Sequence, residues 1–204
     1  MANQQIKVWD IAVRIFHWSL VSLFLLAYVT EDHFLDFHVI AGYMIIGLIV
    51  FRLIWGFIGT HHARFSDFIK SPAEVKGYLK SVLLLRAKRY IGHNPAGGMM
   101  VLALLASIGM VIFSGVLMYG ATEFSGPLAS WVGGVSDNTA DIFEETHEFF
   151  ANFTLLLAAL HIAGVVVTSL QHRENLVRSM INGYKQAEAT APKPQPVQNK
   201  EAIQ

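Results

Sequence analysis

Four apolar stretches, each long enough to cross a bilayer, constrain this chain more than any other feature. A hydrocarbon core takes about 20 residues of α-helix, and such stretches run from Ile11 to Val29, Phe37 to Ile58, Gly98 to Tyr119 and His147 to Leu170. Lipid offers no water to pair a backbone amide or carbonyl, so each stretch must satisfy its own hydrogen bonds as a helix. The expected fold class is therefore all-α, an integral membrane four-helix bundle. With 53% hydrophobic and 15% charged residues, an ordinary soluble domain is a poor explanation.

Charge orients the bundle. The net charge is formally zero, but all 15 Lys and Arg residues fall on one side. Lys7 and Arg14 precede or open the first span, Arg52 to Arg89 joins the second to the third, and Arg173 onward follows the fourth. The connections Thr30–Asp36 and Gly120–Thr146 carry Asp and Glu but no basic residue. Positively charged loops stay in the cytoplasm, and an even number of spans returns the chain to its starting side. Both termini are expected to be cytoplasmic in this multi-pass protein, with membrane lipid as a partner and nucleic acid as none. The first apolar run carries Arg14 and His17, and no clear small-residue cleavage pattern follows it, which speaks against a secretory signal peptide.

Between the second and third spans, Ser71, Pro72 and Glu74 supply an N-cap, a first-turn proline and a capping-box acid. Val75, Tyr78, Leu79, Val82 and Leu83 then recur at helical spacing, with Lys76, Lys80 and Arg86 opposite. This predicts an interfacial amphipathic helix on an anionic leaflet; a short helix packed on the protein itself fits the pattern equally. Gly120–Thr146 reads as an acidic loop at the outer rim, with turn signals at Gly126-Pro127 and Gly133-Gly134. From about Ala187 the chain is rich in Ala, Pro, Gln and Lys, and cannot bury a core. One membrane domain, residues 1–186, and a disordered cytoplasmic tail, 187–204, are expected.

The chain has no cysteine, which removes covalent haem attachment, iron–sulfur clusters and disulfides. Any redox cofactor must be held by histidine. Four histidines, His17, His38, His147 and His161, stand in or at the mouths of the apolar helices, where an ionisable side chain is costly without a role. His147 and His161 are 14 residues apart, close to four helical turns and roughly 21 Å of rise. They share one face at two depths. His17 lies roughly 18 Å below the outer end of the first span, at the depth of His161, and His38 opens the second span beside His147. Two coaxial pairs result, and two neutral imidazoles can fill both axial positions of a haem iron while burying no net charge of their own.

Other readings of these four residues are one haem with two structural histidines, or a proton or metal pathway. A zinc or di-iron site is disfavoured because no carboxylate accompanies the deep pair. Gly42, one turn after His38, and Gly164, just under one turn after His161, could admit a flat macrocycle; close helix packing explains a membrane glycine as well. Arg14 and Arg52, near the inner helix ends, could pair with haem propionates or snorkel to the interface. His33, His61, His62, His93 and His172 read by default as solvated polar residues.

Several motifs carry a resemblance: Val8-Trp9-Asp10, Arg14-Ile15-Phe16-His17-Trp18, His38-Val39-Ile40-Ala41-Gly42-Tyr43, Arg52-Leu53-Ile54-Trp55-Gly56, His62-Ala63-Arg64-Phe65, Gly92-His93-Asn94-Pro95-Ala96-Gly97 and His147-Glu148 with His161. From about Val8 to Met180 the chain resembles the bacterial cytochrome b561 family and its relatives, the b-type cytochrome subunits of nickel–iron hydrogenases. The resemblance implies a protein of the bacterial inner membrane and the respiratory chain. It implies two non-covalent b haems with iron ligands His17, His38, His147 and His161, a quinone as substrate, and an extracytoplasmic redox partner, either a c-type cytochrome or hydrogenase-like. It also admits a second activity, superoxide:quinone oxidoreduction at the outer haem, although acidic outer loops do not steer an anion.

Overall fold

The computed structural model describes residues 5–31 and 33–187. Asp32 of the first outer connection and the expected tail from 188 onward lie outside the described residues. In chain order the elements are β1 (Gln5–Lys7), α1 (Ile11–Thr30), α2 (Leu35–Ile58), a 3-10 turn (His61–Ala63), α3 (Phe65–Phe68), α4 (Pro72–Leu83), α5 (Pro95–Thr122), α6 (Ala129–Val132), α7 (Asp137–His172), α8 (Leu176–Asn182) and β2 (Tyr184–Gln186). Four of these, α1, α2, α5 and α7, are long and apolar enough to cross a membrane.

Side-chain caps set where the helices begin. The Asp10 carboxylate accepts from the Val13 amide at 2.8 Å to open α1, and also accepts from the Trp55 indole at 3.2 Å, which ties the start of α1 to the end of α2. Burial alone would raise the Asp10 carboxyl, but the donors from Thr60, Val13 and Trp55 together hold it below the usual aspartate range. The Asn94 side chain accepts from the Gly97 amide at 2.7 Å, with Pro95 in the first turn of α5. At α4 the predicted capping box is present: Glu74 Oε2 accepts from the Ser71 amide at 3.0 Å, and Ser71 Oγ accepts from the Glu74 amide at 3.3 Å. Tyr78 of α4 is buried against the edge of the Tyr90 ring, while Leu79 and Leu83 stay exposed.

Two helix pairs, α1 with α2 and α5 with α7, make the most extensive helix contacts among the described residues. They meet through α2 and α5, where Ile45, Ile49 and Ile108 form a buried cluster flanked by Leu20, Phe24 and Leu105. Between α5 and α7 the buried Ser107 and Thr154 hydroxyls pair at 2.7 Å, an interhelical polar contact of the kind lipid-embedded helices use. The outward faces carry exposed Ile15, Ile40, Ile54, Phe113, Leu156 and Ile162, an apolar belt of the kind a bilayer covers.

Two expectations need correction. The acidic connection Gly120–Thr146 is mostly helical: α5 runs to Thr122, α6 follows, and α7 already begins at Asp137. Hydropathy marks where lipid ends, and the backbone spiral continues past that point with Asp137 in its first turn, where a carboxylate favours the helix dipole. Thus α7 has 36 residues, about 54 Å of rise. The fold is also not purely helical. β1 and β2 form an antiparallel pair with Gln5 opposite Gln186, Ile6 opposite Lys185 and Lys7 opposite Tyr184.

That pair closes the end of the bundle where the basic residues gather. The amides of Val8 and Trp9 both donate to the Gly183 carbonyl, at 2.8 and 3.1 Å. Gly183 has φ +89°, and a Cβ there would stand 2.6 Å from the Trp9 carbonyl oxygen, so only glycine fits. Lys185 is buried, donates to the Tyr90 carbonyl at 3.1 Å and lies 3.6 Å from Glu174, which also pairs with Arg89 at 2.9 Å. Donors from Arg89 and the charges of Lys185 and Arg89 outweigh burial and hold the Glu174 carboxyl below its usual range.

Candidate functional site

The four span histidines come together as two pairs. At the level farther from the basic end, called outer for that reason, His38 of α2 faces His147 of α7, with ring centroids 5.9 Å apart and planes 73° apart. At the inner level His17 of α1 faces His161 of α7, with centroids 6.4 Å apart and planes at 54°. A metal–nitrogen bond of about 2 Å on each side, with half a ring beyond each nitrogen, puts two imidazoles that clasp one metal roughly 6 Å apart, centre to centre. Both pairs stand at that separation.

The outer rings are held from behind. His38 Nδ1 lies 2.9 Å from the Ala27 carbonyl of α1, and His147 Nδ1 lies 2.9 Å from the Val111 carbonyl of α5. A carbonyl only accepts, so each Nδ1 carries the proton and each Nε2 presents a lone pair, the tautomer a metal requires. Ala27 lies in the last turn of α1, where helix carbonyls run short of intrahelical donors. At Gly115 an added Cβ would stand 2.7 Å from His147 Cε1. Its missing side chain lets the imidazole lie against α5 and reach Val111. Sequence reading passed over Gly115, because nothing local distinguishes it from the other glycines of α5.

Both rings also line an apolar cavity of about 100 Å³ whose wall includes Gly42, Tyr43 and Tyr119, with Glu31 as a charged wall residue. An added Cβ at Gly42 would meet nothing within 4 Å, and the same holds at Gly164, so neither glycine serves close helix packing. Across the cavity's flank the Tyr28 hydroxyl donates to Asn152 Oδ1 at 2.9 Å, linking α1 to α7.

The inner pair is held differently. His17 Nδ1 is buried without a hydrogen-bond partner, and the ring is supported edge-on by Trp18 at 5.0 Å. At the same end of the bundle, Arg14 Nε, Arg52 Nη1, His93 Nδ1, both amide atoms of Gln171 and His172 Nε2 are also buried without partners. Buried polar atoms are almost always paired, so a collection of this kind points to a polar group belonging here. The Arg14 guanidinium donates to the Ile181 carbonyl of α8. Arg52 is only 3% exposed, so it does not snorkel; it donates to the Ala63 carbonyl at 3.1 Å and lies over the Phe65 ring at 5.0 Å.

His93 corrects an expectation. It is not solvated: its ring packs between Trp9 at 4.7 Å and Phe68 at 4.6 Å. Burial first, then the positive Arg52 and the neighbouring His161, push it down to about 3, so it is neutral. The Gly-His-Asn-Pro run around it was legible as a motif, but its burial depends on Trp9 and Phe68, which are distant in sequence.

The donor set fits haem at both levels: imidazole pairs at the right separation, an apolar slot at the outer pair and unpaired basic nitrogens below the inner one. Comparison with known proteins agrees with this chemistry. The family model described as prokaryotic cytochrome b561 matches residues 8–183. The chain is 26% identical over 215 residues to a probable Ni/Fe-hydrogenase B-type cytochrome subunit from Bradyrhizobium diazoefficiens, covering 89% of this chain and 86% of that one. A protein of the same description from Rhizobium leguminosarum bv. viciae is 27% identical over 220 residues, 89% of each. One from Azotobacter vinelandii is 25% identical over 177 residues, 79% of this chain and 70% of the relative. No solved structure matches the chain significantly.

Proposed function

The chain belongs to the prokaryotic cytochrome b561 family, and from that premise we propose that it is a two-haem relay moving electrons between a membrane quinone and an extracytoplasmic redox protein. Membership alone makes it a bacterial membrane b-type cytochrome that transfers electrons. The finer assignment rests on one observation: two facing imidazole pairs at 5.9 and 6.4 Å, each with one member on α7, the helix that reaches both levels.

In this reading His38 with His147, and His17 with His161, are the iron ligands of two b haems. Each haem, when bound, supplies a reversible one-electron couple at its iron. The protein does the rest. The Ala27 and Val111 carbonyls hold the outer imidazoles as Nδ1–H tautomers, Gly42 and Gly115 leave room for ring and ligand, and the apolar lining excludes water. Arg14 and Arg52 hold unpaired guanidinium nitrogens at the inner end, the positive charge that propionates would meet.

The basic end is cytoplasmic by the positive-inside rule, which puts both termini in the cytoplasm and the His38 pair toward the periplasm of the inner membrane. There the early turns of α7 carry Asp137, Asp141, Glu144 and Glu145 on a firm helix, a surface that complements a basic partner. The names of the relatives favour a hydrogenase as that partner. Leu79 and Leu83 of α4, exposed beside Lys76 and Lys80, suit contact with the inner leaflet. The membrane domain extends to Gln186. The superoxide reading gains no support, since Glu31 in the outer cavity wall repels an anion.

Haem content and reduced-minus-oxidised spectra of the purified chain test the proposal. Two haems per chain with bis-imidazole spectra are expected. A ratio of one, or spectra unaltered in both His38→Ala and His161→Ala, overturns it.

A further inference from the structure

On the connection after α2, outside the two histidine pairs, three more metal-ligating side chains converge. His61 and His62 come from the 3-10 turn and Asp67 from α3. The Nδ1 atoms of the two histidines are 3.4 Å apart, His61 Nδ1 is 3.4 Å from Asp67 Oδ1, and His62 Nδ1 is 3.0 Å from Asp67 Oδ2. We propose that His61, His62 and Asp67 form a binding site for a zinc-class divalent cation.

The spacing carries the inference. A tetrahedral ion with bonds of about 2 Å holds its ligands roughly 3.3 Å from one another; the two imidazole nitrogens stand 3.4 Å apart, and each lies 3.0–3.4 Å from one of the two Asp67 oxygens. Hydrogen bonding accounts for only part of the arrangement. His62 sits at hydrogen-bond distance from the carboxylate, whereas the 3.4 Å contacts of His61 are longer than N–H···O bonds normally run. When both Nδ1 atoms carry protons for the carboxylate, the two N–H groups face each other at 3.4 Å; a cation in their place takes a lone pair from each ring. Two imidazoles and one carboxylate suit a borderline first-row ion better than calcium or magnesium, which take oxygen ligands.

The surroundings keep the site both open and shaped. The His61 side chain is 77% exposed, so an ion can arrive from solvent and keep a water as fourth ligand. His62 and Asp67 are largely covered, at 25% and 23%. Behind them lies Gly92, where an added Cβ would stand 2.9 Å from His62 Nδ1 and 3.2 Å from Asp67 Oδ2. The nearby cation Arg64 is turned away, donating to the Gly59 carbonyl at 2.7 Å. An ion bound here would pin the 3-10 turn to α3.

Titration of the full, haem-loaded chain in detergent with zinc alone, followed by calorimetry and equilibrium dialysis, tests the site. One zinc per chain is expected. Loss of a ligand in His61→Ala or Asp67→Asn should weaken binding by more than the roughly 10- to 100-fold typical of removing a supporting partner. Zinc should also raise the melting temperature of the wild type and not of these variants. Haem spectra identical to wild type show that the variants fold, and X-ray absorption should find two imidazoles on the metal. Zinc binding that is absent, or unchanged in the His61→Ala, Asp67→Asn double variant, overturns the proposal, and this difference can be read whether or not the span histidines carry haem.

Discussion

The outer and inner histidine pairs have similar ring separations, yet the protein holds them by different means. At the outer level each imidazole is fixed from behind by a backbone carbonyl of a neighbouring helix, and Gly115 gives His147 a seat. At the inner level His17 Nδ1 has no partner, and it shares that end of the bundle with unpaired nitrogens of Arg14, Arg52 and His93. The outer site is organised by helix packing before anything binds. The inner site holds polar atoms whose cost is offset only by a bound polar group or by the structure that closes the end. Rigid backbone can aim a ligand by itself; long side chains at a helix end need something to meet.

Breaking a ligand should give the largest effect. His38→Ala and His147→Ala should each remove the outer haem alone, and His17→Ala and His161→Ala the inner alone, each lowering the haem-to-protein ratio by about half. Loss of both haems from any single variant would show that the two levels are not independent.

Gly115→Val sharpens the contrast next. Its side chain would enter the space of the His147 ring, so outer haem affinity should drop by roughly 10- to 100-fold, the cost typical of disturbing a ligand's support. Inner haem content should stay unchanged, as measured by potentiometric titration with spectral detection.

The closure of the inner end is tested by Glu174→Gln, which leaves the buried Lys185 and the Arg89 guanidinium without their anion. Breaking a buried pair costs about 3 kcal/mol, to be read as a lower melting temperature with earlier loss of the inner haem. The same group sets a pH dependence. Its folded value lies below the ordinary 4.5, so its contribution is complete above that pH and disappears as pH falls through the lower folded value. Melting curves of the wild type should therefore decline on acidification in that window, and those of Glu174→Gln should decline less.

The smallest effect is expected from Ser71→Ala. The exposed capping box of α4 is worth about 1 kcal/mol, and both haem signals should match wild type.

How much of this was legible in the sequence follows from the range of the interactions. Span positions depend on local hydropathy, and α1, α2, α5 and α7 lie where the apolar stretches put them. The α4 start depends on Ser71 and Glu74, three residues apart, and was equally readable. The pairing of His17 with His161 and of His38 with His147 follows from helical rise once the spans are placed. What escaped depends on contacts between distant segments. Three-residue strands carry no usable periodicity, so β1 and β2 were invisible. His93 and Lys185 look like surface residues in any local window, and are buried because Trp9, Phe68 and Tyr90 come to them. The outward part of α7 reads as loop in sequence because its charges mimic one.

The β1–β2 clasp sets an order of events during biosynthesis. Gln5 emerges from the ribosome before the first span, and its partner Gln186 follows only after all four spans have been made. A chain elongates from its N-terminus at roughly 5–20 residues per second, so the opening segment waits on the order of ten seconds or more for its mate. Through that interval the basic end of the bundle has no clasp, and the space beside His17 and His161 stays open until β2 arrives to shut it.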